Sequence, residues 1–340
     1  MIDFRSDTVT TPTDEMRSAA RDAAVGDDVL GEDPTVAALE KTAADLLGMG
    51  DSLYCPSGTM ANQVAARTHT ERGQEVICER ESHVYKWELG GLAQLSGLQT
   101  RPLDGGDRGL FSAADLRSAY VEEDDHRAGT GLVTVENTHN ARGGIAITPD
   151  EVDSVAAAAQ ELDVPVHLDG ARLFNAAVAR SVPAHRFTRE VDSVMVSLSK
   201  GLGAPVGSVL CGNEDFIARA RRNRKLFGGG MRQAGVIAAP GLVALENRDH
   251  LMTDHVNASR LAEGLSSMEG LSVSEPETNI VLLDVSDAKT SAAAFLADCE
   301  EQGVLGIAVG NQTIRFCTHR NVDRVAVETA LDRIRPLVDG

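Results

Sequence analysis

Lysine is scarce in this sequence. Only five of its 32 basic residues are lysine (Lys41, Lys86, Lys200, Lys225 and Lys289), and they stand with the arginines against 51 Asp and Glu. The formal net charge of −19 argues against nucleic acid or an anionic membrane as partner, since both are polyanions. A lysine-poor, acidic surface is expected of a protein adapted to high salt, where ions screen carboxylate repulsion. An acidic cytosolic protein from a GC-rich genome would share that composition. Long apolar runs are also missing. No stretch approaches the ~18 residues of a membrane-spanning helix. The first ten residues, MIDFRSDTVT, are charged and polar, so no signal peptide is expected. Paired cysteines are absent too. Cys55, Cys78, Cys211, Cys299 and Cys317 are odd in number and form no C-x-x-C, which disfavours a cysteine zinc site and suits a reduced, cytoplasmic protein. Neither an internal repeat nor a low-complexity linker is found, and the G-x-x-x-x-G-K-[ST] phosphate loop is missing.

What remains is a chain of 340 residues, 42% hydrophobic, enough for a large core and roughly two domains. Apolar spacing predicts helices over Pro34–Leu47, Met60–His69, Ser82–Leu95 and Pro149–Leu162, the last opened by a favourable proline. Short apolar runs predict strands at Ser52–Tyr54, Glu75–Glu79, Gly131–Glu136, Val164–Leu168, Asp192–Leu198 and Val206–Cys211. This alternation implies an α/β fold, a mostly parallel sheet with helices on both faces. The last ~90 residues change rhythm. A long helical stretch, Leu242–Met268, precedes strands at Ile280–Val285 and Thr313–Thr318 and helices at Ser291–Gln302 and Val322–Leu337. We therefore expect a large domain over residues 1–245, with segment 1–30 near the active site, and a smaller C-terminal α+β domain over 246–340.

Open sheets of this type bind ligands beyond the carboxyl ends of their strands, and Glu136, Asp169 and Lys200 all fall there. Lys200 follows an apolar strand and precedes a glycine-rich turn, a setting that can desolvate an amine and make it nucleophilic. Asp169 ends the preceding strand. A lysine for a Schiff base and a carboxylate for a pyridine nitrogen are what an electron-sink aldehyde cofactor needs. Ser57-Gly58-Thr59 stands before a helix, where free N–H groups can cradle a phosphate, although ordinary capping has the same pattern. His83 follows a strand and could stack on a flat cofactor. His167 and Asp169 are expected on opposite faces of their strand, which disfavours a metal pair, and no metal is expected.

Together these parts resemble the low-specificity L-threonine aldolases, pyridoxal-phosphate enzymes of fold type I in the aspartate aminotransferase superfamily. The matching stretches are FRSDTVTTPT at 4–13, VGDDVLGEDPTV at 25–36, PSGTMAN at 56–62, ENTHN at 136–140, HLDGARLFNA at 167–176, SLSKGLGAPVGS at 197–208 and RKLFGGGMRQAG at 224–235, with TNIVLLDV at 278–285 and IRFCTH at 314–319. The resemblance implies retro-aldol cleavage of L-threonine or L-allo-threonine to glycine and an aldehyde. It implies that Lys200 binds the pyridoxal 5′-phosphate aldehyde, Asp169 pairs with its ring nitrogen and His83 stacks on the ring. Gly58, Thr59 and Ser199 would hold the phosphate, and Arg232 the phosphate or a dimer interface. Ser6, Arg172 and Arg315 would hold the substrate carboxylate, with His126 and Lys225 near the site. The base for the β-hydroxyl stays open between His83, His126 and a water. A homodimer or homotetramer is implied. The sequence departs from the family at Leu30, where D-D-V-Y-G carries tyrosine. Competing readings are a β-eliminating lyase or an aminotransferase of the same fold, an inactive cofactor-binding protein, and a hydrolase using His167 and Asp169.

Overall fold

The computed structural model describes residues 1–338. In chain order the strands and helices are β1 (Ile2–Asp3), α1 (Asp14–Asp22), α2 (Pro34–Leu47), β2 (Asp51–Cys55), α3 (Gly58–His69), β3 (Glu75–Glu79), α4 (His83–Lys86), α5 (Gly91–Ser96), β4 (Gln99–Leu103), α6 (Ala113–Ala119), β5 (Thr130–Glu136), α7 (Pro149–Gln160), β6 (Val166–Gly170), α8 (Leu173–Arg180), β7 (Ser193–Ser197) and β8 (Ser208–Gly212). Then come α9 (Glu214–Leu226), α10 (Gly235–Glu246), α11 (Leu251–Ser266), β9 (Ser272–Val273), β10 (Ile280–Asp284), α12 (Ala292–Glu301), β11 (Val304–Leu305), β12 (Ile307–Ala308), β13 (Thr313–Cys317) and α13 (Arg324–Ile334).

Strong local signals set most of these. Asp33 caps α2 through bonds from the Thr35 and Val36 N–H groups, Pro34 occupies the first turn, and Gly48, at φ +62°, ends the helix. A capping box of Thr148 and Glu151 starts α7. The expected helix over Ser82–Leu95 is instead two short helices. Leu89 (φ +56°) and Gly90 (φ +66°) break it, leaving Leu89 exposed while Glu88 turns inward. The stretch Leu242–Met268 is likewise divided, by the turn Asn247–His250.

Seven strands form the large sheet in the order β2-β8-β7-β6-β5-β3-β4, with β8 running opposite to the other six. The α/β fold and its mostly parallel sheet are thus as expected. The pleat sends Val166, Leu168, Val194 and Val196 into a main core with α2, α7, α8 and α10. Met195 and Leu210 face the other way, against α3 and α9. A four-stranded sheet, β12-β13-β10-β9, builds a second core with α11, α12 and α13. The N-terminus joins this second core. β1 pairs with β11, and Phe4 packs edge-on against Phe316 with ring centroids 5.7 Å apart. The chain then carries Ser6, Asp7 and Thr8 towards the carboxyl ends of the large sheet. Among the described residues no helix is long and apolar enough to cross a membrane.

Candidate active site

Glu136 and Asp169 are register partners at the ends of β5 and β6. Contrary to expectation, His167 and Asp169 share one face, because residues two apart on a strand point the same way. Both meet Asn62, in the second turn of α3. The Asn62 Nδ2 amide donates to Asp169 Oδ2 (2.8 Å) and to Glu88 Oε1 (2.9 Å), so its Oδ1 faces His167 Nε2 at 3.0 Å and accepts from it. His167 Nδ1 then accepts from the Ser193 hydroxyl at 2.8 Å, and burial lowers its pKa to about 4, leaving a neutral ring. The second Asp169 oxygen accepts from the Ala171 N–H at 3.1 Å. His83, Glu88 and Asp169 bring donor atoms within 4.8 Å of one another, a metal-like spacing. The Asn62 amide already lies between the two carboxylates, which makes the group a hydrogen-bonded cluster.

Glu88 is fully buried and anchors three partners. Besides Asn62 it accepts from Gln63 Nε2 (2.6 Å) and faces His83 Nδ1 (3.0 Å). His83 Nδ1 therefore carries a proton, and Nε2, without a partner among the described residues, is left towards the cleft. Burial pulls the His83 pKa down, but Glu88 and Asp169 outweigh it and the net shift is upward. Glu136 accepts from the backbone N–H of His83 (2.6 Å) and of Asn140 (2.9 Å), tying both walls of the cleft to β5.

Lys200 lies two residues after Leu198, at the foot of this cleft. Its carbonyl is held by the Gly203 N–H (2.9 Å) and the Thr10 hydroxyl (3.0 Å). Burial lowers the pKa of its amine below the ordinary lysine value and Arg172 adds to that, against opposing pulls from Asp7 and Asp169. Ser57 caps α3 by accepting from the Met60 N–H, so the Gly58 and Thr59 N–H groups find no acceptor among the described residues. A hollow of about 160 Å³ joins Ser57, Gly58, Thr59 and Ser199 to His83, Asp169 and Lys200. The Thr138 hydroxyl, buried and without a partner among the described residues, also lines it. An adjoining hollow of about 490 Å³ shares Thr8, His83, Asn140, Arg172 and Lys200 and extends to Ser6, Trp87, Ile307 and Arg315. Hollows of about 570 and 610 Å³ elsewhere hold no lysine beside a carboxylate.

The three residues expected at the substrate carboxylate are not equivalent. Arg172 is buried and forms a two-point pair with Asp7, Nε–Oδ2 and Nη2–Oδ1 both at 2.7 Å. Asn279 also donates to Asp7, at 3.2 Å. Burial raises the Asp7 pKa and Arg172 lowers it, with a net fall well below the carboxylate range. Only Arg172 Nη1 is left, and it donates to Asn140 Oδ1 (3.2 Å). Arg315 Nη1 donates to the same oxygen (3.2 Å), and Nη2 donates to the Arg5 carbonyl. Its buried Nε has no partner, and it pairs with no carboxylate among the described residues. Burial first, then Arg172, lower its pKa. Ser6 caps the turn Asp7–Val9 through the Thr8 N–H at 3.2 Å.

Four expected residues are not brought to this cleft within one chain. His126 is exposed on the turn between Asp124 and Arg127. Leu30 is 68% exposed on the turn Asp28–Leu30. Lys225 lines the separate hollow of about 610 Å³ beside Val29 and Gly230. Arg232 is exposed and pairs with Asp27 at 2.8 Å. Conversely, sequence reasoning overlooked Asp7, Asn62, Glu88, Thr138 and Asn140. All but Glu88 lie inside matched motifs, where a residue without an assigned role was still a signal. Glu88 carried none, because apolar spacing placed it within a helix.

The family model described as beta-eliminating lyase matches residues 3–288. The low-specificity L-threonine aldolase of Escherichia coli is 42% identical over 325 residues, covering 95% of each chain. Low-specificity L-threonine aldolase 1 of Arabidopsis thaliana is 41% identical over 328 residues, covering 94% of this chain and 92% of that one. Among solved structures, the threonine aldolase of Leishmania major superposes with a TM-score of 0.84 at 21% identity, covering 99% of this chain and 100% of that one.

Proposed function

The chain belongs to the beta-eliminating lyase family, among its threonine aldolases, and we propose the following division of labour for its pyridoxal-phosphate-dependent cleavage of L-threonine to glycine and acetaldehyde. The cofactor supplies an aldehyde that captures an amine and a ring that accepts the electron pair of the broken bond. The donor set fits it. The unpaired Gly58 and Thr59 N–H groups and Ser199 suit a phosphate, and the partnerless Thr138 hydroxyl is a further polar group in the same hollow. Lys200, which lines the same hollow and whose pKa burial lowers, would supply the amine that the aldehyde captures. Asp169, held in place by Asn62 and Ala171, would face the ring nitrogen and favour its protonated form.

Arg315 takes the substrate carboxylate, since it alone of the two cleft arginines has no carboxylate partner. Arg172 instead uses Asp7 and Asn140 to fix the cleft wall against which Arg315 works. That grip aligns the Cα–Cβ bond for cleavage. His83 Nε2 receives the β-hydroxyl proton, with Glu88 holding the tautomer that exposes its lone pair. The observation that carries this reading is Lys200, of lowered pKa, in one cleft with Asp169 and the free N–H groups of α3. The test is product analysis of wild type and Lys200→Ala with L-threonine. Equimolar glycine and acetaldehyde, lost in the variant, are expected. A keto acid with ammonia, or wild-type turnover by Lys200→Ala, would refute the reading.

Leu30, Leu226, Val25 and Val236 are exposed, as are Trp87 and Leu89. Apolar exposure near Lys225 and Arg232 supports a homodimer or homotetramer in which a second copy covers these residues. All five cysteines are buried and free, which supports a reducing cytoplasm. The −19 charge supports adaptation to salt.

A further inference from the structure

At the opposite end of α3 from the cradle, roughly 18 Å along a twelve-residue helix, lies a second polar hollow of about 320 Å³. It is lined by Arg67, Thr70, Glu71, Arg72, Ser96 and Asn223. Two guanidinium groups flank one short segment. Arg67 Nη1 donates to the Leu95 carbonyl at 3.1 Å, and the Arg72 guanidinium lies over Gly97, where a Cβ would sit 3.0 Å from its Cζ and Nη2. Ser96 stands between those two points. It is 2% exposed, yet its hydroxyl has no hydrogen-bond partner among the described residues. Neither arginine forms an ion pair among the described residues, in a chain with 51 carboxylates to choose from. Thr70 and Asn223 are already engaged, with the Ala66 carbonyl and the Thr68 hydroxyl.

We propose that this hollow binds a phosphate group, as inorganic phosphate or as a small phosphomonoester. The two guanidinium groups and the hydroxyl line one hollow and are all donors, which suits an oxyanion. A phosphate offers more acceptor oxygens than a carboxylate, and its higher charge matches two guanidinium groups better. Bound phosphate satisfies the Ser96 hydroxyl and supplies the countercharge that both arginines lack. Glu71, exposed on the rim, opposes the anion and moderates its affinity.

The test uses cofactor-loaded protein, so that the cradle at the start of α3 is filled. Inorganic phosphate is titrated by calorimetry at constant ionic strength, balanced with KCl. One saturable site per chain is expected, weakened about tenfold or more by Arg72→Ala or Arg67→Ala. Ser96→Ala is the variant that separates binding from folding. Its removed hydroxyl has no partner, so thermal stability without phosphate should hold or rise while phosphate affinity falls several-fold. Glu71→Gln should tighten binding. Methyl phosphate binding as tightly as the free ion would assign the site to monoesters, and clear preference for the free ion would assign it to inorganic phosphate. Absence of a saturable site, or binding unchanged in an Arg67→Ala/Arg72→Ala double variant, would overturn the proposal, whatever the products of L-threonine turnover.

Discussion

Replacing Glu88 by glutamine tests how His83 is controlled. Glu88 accepts from Asn62 and His83 on one oxygen and from Gln63 on the other. A glutamine can keep the first oxygen as its carbonyl. Its new NH₂ would then oppose the Gln63 amide, donor against donor. The structure provides the remedy, because Gln63 Oε1 is buried without a partner among the described residues. Turning the Gln63 amide over presents that oxygen to the new NH₂, and every bond is remade in neutral form. Exchanging charge-assisted for neutral hydrogen bonds should cost about 1–2 kcal/mol of stability. Glu88→Ala, by contrast, strands the part-buried His83 Nδ1 and two buried donors, on Asn62 and Gln63, at about 1–3 kcal/mol for each buried one. The electrostatic effect is separate. Glu88 helps to raise the His83 pKa, so the variant should titrate at lower pH. The sign follows: a raised pKa stabilises the fold below the ordinary histidine value and is lost as pH rises through the raised one. The stability gap between wild type and Glu88→Gln should therefore be widest in mild acid and narrow towards alkaline pH. In the rate profile the acid limb should move to lower pH, with a lower plateau from the weaker base. Thermal melts across pH, an NMR titration of His83 and the pH dependence of kcat would measure all three. An unchanged His83 titration with a superimposable rate profile would refute the role of Glu88.

Three further outcomes are expected. Arg315→Lys keeps a charge but loses the planar fork; losing one charge-assisted bond of about 1.5–3 kcal/mol corresponds to a fall in kcat/KM of roughly 10- to 150-fold. The visible absorbance of the loaded cofactor should survive, and unchanged kinetics would place the carboxylate grip elsewhere. Asp7→Asn should destabilise by about 3–5 kcal/mol, because it leaves the buried Arg172 charge uncompensated. As Asp7 has a lowered pKa, its contribution persists above the ordinary carboxylate range and is lost only in stronger acid, so this difference should be flat from about pH 5 to 8 by denaturant unfolding. Finally, the unfolding midpoint should rise by several degrees between dilute buffer and molar KCl, as expected if the −19 charge is relieved by screening; a flat midpoint would remove the saline reading.

Some features of this protein are local enough to be read from the chain itself. The helix Pro34–Leu47 has its cap, first-turn proline and closing glycine in adjacent residues, and the structure has it with those same bounds. The strand Glu75–Glu79 is likewise as predicted. Apolar strands that stop at a charged residue revealed Glu136, Asp169 and Lys200 as groups at one edge of the sheet. Other features exist only once distant segments meet. The Asp7–Arg172 pair joins residues 165 apart, and spacing cannot distinguish an arginine that grips a buried aspartate from one that is free. The N-terminal strand pairs with β11 near the other end of the chain, so the second core takes in both ends of the sequence. Glu88 turns inward because three donors on α3 and α4 await it, and that tertiary demand overrides the helical spacing of Ser82–Leu95. Local capping and periodicity act within about one turn of a helix or strand, whereas a buried charge is placed by whichever partner the folded chain brings to it.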